Sequence, residues 1–185
     1  MKNITFRIIG VEYLQNLPIL LGLMLALHAQ DWLGRLLLSA LGAFGTAVTI
    51  TLTEQIKLRE HAPKKPTPVL VNALTFLAGS LIYVAYNQII RHSVPYPVVA
   101  DVILGLLLGL VMGLAQGYGR GEGRLNAGDL AHVGGLMGAG AVLCSVIGLI
   151  ADAWPPVIAA VVLCIPMTLI IVRMDYWPLI MAERS

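Results

Sequence analysis

VILGLLLGLVMGLAQGYG, residues 102–119, runs for eighteen positions without an Asp, Glu, Lys or Arg. As a helix rising about 1.5 Å per residue it would be roughly 27 Å long, close to the ~30 Å hydrocarbon thickness of a bilayer. Five more windows of this kind flank it: Tyr13 to Gln30, Leu36 to Thr53, Val69 to Ile90, Leu130 to Ala151 and Ala153 to Val172. The apolar residues come in blocks rather than in stripes, which excludes a soluble amphipathic bundle. Composition agrees. Of 185 residues, 58% are hydrophobic and only 12% charged, about half the charge of a soluble domain. The predicted fold class is therefore all-α, a polytopic membrane bundle of six transmembrane helices. Its spans lie at about 8–30, 33–53, 69–90, 97–119, 129–151 and 153–172, in a single domain covering 1–185.

The basic residues set the orientation. With six crossings, Lys2, Arg7, Lys57, Arg59, Lys64, Lys65, Arg120, Arg124, Arg173 and Arg184 share one side, and only Arg35 and Arg91 take the other. The positive-inside rule then places both termini in the cytoplasm. Interfacial rings agree, with Trp32, Tyr96 and Trp154 at the outer ends of spans and Tyr118, Tyr176 and Trp177 at the inner ends. The expected location is the cell (cytoplasmic or inner) membrane. Glu12 interrupts the first segment and no small-x-small site follows it, so that segment reads as a retained span rather than a cleaved leader. Net charge of +2 and the topological use of the basic residues leave nothing for nucleic acid, and the basic loop at 54–68 suits anionic lipid. Cys144 and Cys164 fall within apolar stretches and read as small hydrophobes. No metal ligand set or cofactor fingerprint stands out.

Within the decisive stretch, Gly105, Gly109, Gly113 and Gly117 recur every four residues, and the fifth span carries Gly134, Gly135 and Gly138. Small residues at this spacing form a flat stripe that admits a neighbouring helix, so spans four and five are expected to pack closely as a glycine zipper, Gly134 and Gly138 included.

Charged and polar groups at membrane depth carry the functional expectations. Asp101, about a turn into span four, reads either as an ion or proton relay or as the partner of Arg91 or His92. Asp31 and Arg35 read as an i,i+4 pair. The richest cluster is cytoplasmic: Arg120, Glu122, Arg124, Asn126, Asp129 and His132. Asn126 suits an N-cap, with Asp129 in the first turn, where a carboxylate meets the helix dipole, and His132 on the same face.

The stretch Asn126-Ala-Gly-Asp-Leu-Ala-His-Val-Gly-Gly-Leu-Met-Gly resembles the GxGD segment of the aspartyl prepilin peptidases, membrane enzymes that cut pilin leader peptides at the cytoplasmic side. In that family a second carboxylate ends an earlier helix and is followed by basic residues, a proline and another span. The corresponding region here is Leu52-Thr-Glu-Gln-Ile-Lys-Leu-Arg-Glu-His, with Pro66 and Pro68 beyond it. The resemblance covers about the middle half of the chain and implies Asp129 paired with Glu54 or Glu60 as catalytic acids. This sequence departs from the pattern in three ways. No aspartate stands at the first catalytic position, Asn126 replaces the first glycine, and Ala131 replaces a basic residue. A glutamate would move its carboxylate by more than an ångström, enough to cost orders of magnitude in rate, so the resemblance also allows an inactive relative.

Two other motif matches, one to an enzyme and one to a channel, fail on their own residues. Gly79-Ser80 with His132 suggests a rhomboid protease, but Ala78 breaks the Gly-x-Ser, and the topology sets Ser80 near mid-membrane. Gly117-Tyr118-Gly119 lacks the rest of a potassium filter. From another class, size and topology suit a small-solute transporter or substrate-capture subunit, or an accessory subunit of a larger membrane complex. The expected partners are the lipid bilayer and either a peptide substrate or another membrane subunit.

Overall fold

The computed structural model describes residues 3–58, 69–120 and 127–182, which are helical nearly throughout and contain no strand. In chain order the helices are α1 (Asn3–His28), α2 (Trp32–Leu58), α3 (Val69–Ala85), α4 (Pro97–Arg120), α5 (Ala127–Ile150), α6 (Pro156–Ile171) and α7 (Trp177–Ala182). A π turn, Tyr86–Ile90, and a 3-10 turn, Arg91–Ser93, prolong α3; a second π turn, Val172–Tyr176, joins α6 to α7. Among the described residues six stretches are long and apolar enough to cross a membrane: Thr5–His28, Trp32–Glu54, Val69–Ser93, Pro97–Ala115, His132–Ile150 and Pro156–Met174. Leu70, Leu107, Val111, Leu149 and many other large apolar side chains point outward. That exposure is prohibitive in water and ordinary in lipid. The chain is an all-α, multi-pass membrane protein.

Local chemistry explains the helix ends. The Asp31 carboxylate accepts from the Gly34 N–H at 2.7 Å and caps α2. Arg35 donates from Nε to the Ala29 carbonyl at 3.1 Å and lies over the Trp32 ring. The last span starts at Pro156, three residues beyond the start read from the sequence, because residues 151–155 form a turn. Pro155 and Pro156 have no N–H and fixed φ, and Pro156 is pre-shaped for the first helical position.

The helices divide into two compact units. One comprises α1, α2, α3, α6 and α7; the other runs from Ala85 to Trp154 and holds α4 and α5. In the first unit α1 packs on both α2 and α6. Pro18 removes one backbone donor from α1 and disturbs the turn around it. The neighbouring Ile19 N–H then donates to Thr46 Oγ1 of α2 at 2.9 Å. One turn on, Gly22 and Gly42 cross. A Cβ on Gly22 would lie 2.6 Å from the Leu38 carbonyl oxygen, and one on Gly42 would lie 2.7 Å from that of Pro18. Against α6, Tyr13 Oη donates to the Val161 carbonyl and Cys164 Sγ donates to the Tyr13 carbonyl, both at 3.2 Å. Ile8, Val172 and Ile180 close the far end. Thr46→Val keeps the shape and removes the acceptor, leaving the Ile19 N–H buried without it. The expected cost is about 1–3 kcal/mol, read as a lower thermal midpoint with the helical content intact. A midpoint equal to wild type would contradict the assignment.

In the second unit α4 and α5 run backbone against backbone. A Cβ added at Gly105 would lie 2.2 Å from the Gly140 carbonyl oxygen. One at Gly109 would lie 2.2 Å from that of Leu136, and one at Gly113 would lie 2.9 Å from Val133 Cα. Gly140 reciprocates toward Gly105. Gly134 and Gly138, expected in the contact, instead face open space, with nothing within 4 Å of where a Cβ would stand. Helix phase is the reason: the α5 face that meets α4 carries Val133, Leu136, Met137 and Gly140. Gly117 lies within α4, but its surroundings are outside the described residues.

Candidate functional site

Among the described residues the charged side chain most deeply placed is Asp101, fully buried near the start of α4. Its Oδ1 accepts the Tyr86 hydroxyl at 2.9 Å, and Arg91 Nε reaches Oδ1 and Oδ2 at 3.2 and 3.3 Å. Arg91 also donates from Nη2 to the Gly148 carbonyl of α5. Its Nη1 lies 4.0 Å from a carboxylate oxygen of Asp152, whose side chain is 70% exposed. Of the two readings of Asp101, the geometry is that of the pair with Arg91.

The π turn makes this arrangement possible. Tyr86 and Arg91 are five residues apart, which in an α-helix would separate them by about 140° around the axis. Here the Arg91 N–H closes on the Tyr86 carbonyl, an i to i+5 bond that widens the turn and sets both side chains toward one carboxylate. Gly148 supplies the space. A Cβ there would lie 2.4 Å from Asp101 Oδ2 and 2.9 Å from Arg91 Nε and Nη2. The guanidinium thus ties the end of the third span to α4 and α5 at once. Beside it, Asn87 is buried and its Nδ2 makes no hydrogen bond, although its Oδ1 accepts from Gln88 at 3.3 Å.

Chemically this is a fastener. The carboxylate takes donors from two side chains, the guanidinium is shared among two carboxylates and a carbonyl, and no reacting group has open access to Asp101. Among the described residues, no three His, Cys, Asp or Glu side chains gather as metal ligands would.

The cytoplasmic acids read from the sequence lie elsewhere. Glu54 is half-buried in the last turns of α2. Asp129 sits in the first turn of α5, with its side chain outside the described residues, and His132 follows one turn on, half-buried. Glu60, Arg124 and Asn126 lie outside the described residues. Residues that sequence reasoning passed over are Tyr86 and Gly148 in this cluster, and a second buried polar set on α1, namely Glu12, Gln15 and Asn16. The available signal for that set was its i, i+3, i+4 spacing inside an otherwise apolar span. Compared with protein-family models, curated proteins and solved structures, the chain matches none.

Proposed function

We propose that this is a protein of the cytoplasmic membrane, N-in and C-in, that carries a prepilin-peptidase-like acid pair: Asp129 with Glu54 or Glu60. The single observation that carries the reading is where α5 begins. The helix opens at Ala127, so Gly128-Asp129 falls in its first turn, as the GxGD segment requires. Support comes from the rigidity of the element that bears it. The glycine face along α4 and the Arg91–Asp101 fastener at the far end hold α5, and a catalytic group gains precision from a fixed helix. Gly148 and Asp129 are separated by about 28 Å of helix at ~1.5 Å per residue, so one end of α5 is fastened and Asp129 lies about a bilayer's thickness away along it. Glu54 lies in the last turns of α2 and Asp129 in the first turn of α5, two apolar spans later along the chain.

In such a pair one carboxylate takes a proton from water, whose oxygen attacks the peptide carbonyl. The other gives a proton to the leaving amide nitrogen as the C–N bond breaks. The substrate class is a leader peptide presented at the cytoplasmic face. The alternative, a small-solute carrier, is favoured by the buried polar set on α1.

Proximity is tested with cysteine pairs, Glu54→Cys with Asp129→Cys and Glu60→Cys with Asp129→Cys, in a Cys144→Ala, Cys164→Ala background. A disulfide forms only when Cα atoms approach to about 4.4–6.8 Å. Oxidation in native membranes is expected to bridge at least one pair. If neither pair bridges, the reading is overturned. With a bridging pair in hand, Asp129→Asn is expected to lower leader cleavage at least a hundredfold. Undiminished cleavage would remove Asp129 from the chemistry.

A further inference from the structure

The first unit carries two stacks of arginine on tryptophan, one near each end of its spans, and they are not equivalent. At the turn between α1 and α2 the Arg35 guanidinium lies 5.0 Å from the centre of the Trp32 ring, and its Nε is occupied by the Ala29 carbonyl. At the end of α6 the Arg173 guanidinium lies 4.5 Å from the centre of the Trp177 ring. Arg173 is exposed and Trp177 is 37% exposed. Among the described residues, Arg173 makes no hydrogen bond or ion pair. A guanidinium stacked on a ring engages only its face. Its N–H groups stay at the edge, in a planar fork that matches two oxygens of a phosphate. The second stack is thus a positioned cation that lacks an anion.

Its place in the fold narrows which anion. The apolar stretch of α6 runs from Pro156 to Met174, so Arg173 and Trp177 straddle the end of a span. Lipid phosphates lie at that depth, and indole rings favour it. The stack also stands on a fixed base. Ile8 of α1, Val172 and Ile180 form one buried cluster, with Tyr176 packed against it. Eight residues of α-helix would set Ile180 about 80° around the axis from Val172. The π turn Val172–Tyr176 takes up one extra residue. That cuts the offset to about 20°, and both side chains reach the cluster. Arg173 lies in this anchored turn and Trp177 follows it. Phe6 and Met181, exposed at the same end of the unit, offer apolar surface to acyl chains. Arg7 is engaged within the unit and takes no part in the site.

We propose that Arg173, held on Trp177, is the headgroup site for one anionic phospholipid, the guanidinium edge donating to the lipid phosphate. Charge selects the lipid. A zwitterionic headgroup brings its own cation beside the guanidinium, whereas an anionic one brings none. The inference stands independently of peptide cleavage, because neither residue belongs to the acid pair.

The test reads the site itself. The full chain holds three tryptophans, so Trp32→Phe with Trp154→Phe leaves Trp177 as the reporter. The purified chain is reconstituted into phosphatidylcholine vesicles at fixed ionic strength. Phosphatidylglycerol or phosphatidylcholine, brominated near the headgroup end of its acyl chains, is then titrated in as a quencher. Both leaflets carry the probe, so the direction of insertion does not matter. Quenching of Trp177 is expected to half-saturate at about fivefold less phosphatidylglycerol than phosphatidylcholine, the strength of one basic side chain at an anionic surface. Arg173→Gln should make the two lipids equal. Arg35→Gln, at the other stack, should leave the preference unchanged. Should Arg173→Gln not reconstitute, Arg173→Lys takes its place; it keeps the charge without the fork and should retain about a twofold preference. Excess soluble glycerol phosphate should not displace the lipid. Equal quenching by the two lipids in the parent chain overturns the proposal. So does a preference that survives Arg173→Gln, or displacement by glycerol phosphate, which would make the ligand a soluble phosphate.

Discussion

Asp101→Leu is expected to destabilise the second unit by about 3–5 kcal/mol, the cost of leaving a buried charge without its partner. The guanidinium of Arg91 would keep only the Gly148 carbonyl and the distant, exposed Asp152, and the Tyr86 hydroxyl would lose its acceptor. The informative companion is the double variant Arg91→Met, Asp101→Leu. Buried ion pairs are often replaceable by apolar residues of similar volume at little net cost. The double variant should therefore recover most of what the single variant loses. Both quantities come from detergent-titrated unfolding of the purified chain. A loss below about 1 kcal/mol in the single variant, or a double variant no better than it, would show that the cluster does not fasten the helices.

Gly109→Val should be comparably damaging, and for a steric reason. The added Cβ would stand 2.2 Å from the Leu136 carbonyl oxygen, 2.5 Å from its carbon and 2.6 Å from Met137 Cα. All three are backbone atoms, which cannot swing aside as a side-chain tip can. Either α4 and α5 separate along their length or the helix slides. Overpacking of this kind costs about 1–3 kcal/mol and sometimes more, and three glycines of α4 with Gly140 of α5 share the interface. Gly138→Val is the matched control, because nothing lies within 4 Å of its Cβ position. Surface changes of that type usually stay within about 0.5 kcal/mol. Hydrogen exchange should rise along α4 and α5 in the first variant and remain at wild-type levels in the second. Equal behaviour of the two would sink the packing argument.

The six spans were legible because bilayer thickness imposes a length on any uncharged window, and that constraint acts on sequence directly. The glycine spacing of α4 was legible for a similar reason: a four-residue period nearly matches the helical turn, so the small residues stay on one side. The partner face on α5 was not. Gly134 and Gly138 are as small as Gly140, and only the rotation of α5 decides which of them meets α4. The Arg91–Asp101 pair could be suspected from two opposite charges bounding a short outer connector. Tyr86 could not join it on α-helical spacing, because the π turn that aligns it answers a tertiary demand and leaves no mark in local composition. Glu12 was read as an interruption of an apolar run. Its burial depends on how α1 packs against α2 and α6, and long-range packing of that kind is invisible along the chain. The resemblance at Asn126–Asp129 remains a matter of sequence, with the place where α5 begins as its structural support.

The span of the Arg91 contacts has a consequence for how the chain is made. Arg91 leaves the ribosome ten residues before Asp101 and 57 before Gly148. An arginine held in a bilayer alone is opposed by a few kcal/mol, so Arg91 gains its partner only once Asp101 at the start of α4 has followed it. Coupled insertion is the expected result, with the third and fourth spans entering as a hairpin around a neutralised charge. At about 5–20 residues per second, the α5 carbonyl arrives roughly 3–10 seconds later. During that interval Gly105, Gly109 and Gly113 lie open along α4, a groove already formed for the helix still being synthesised.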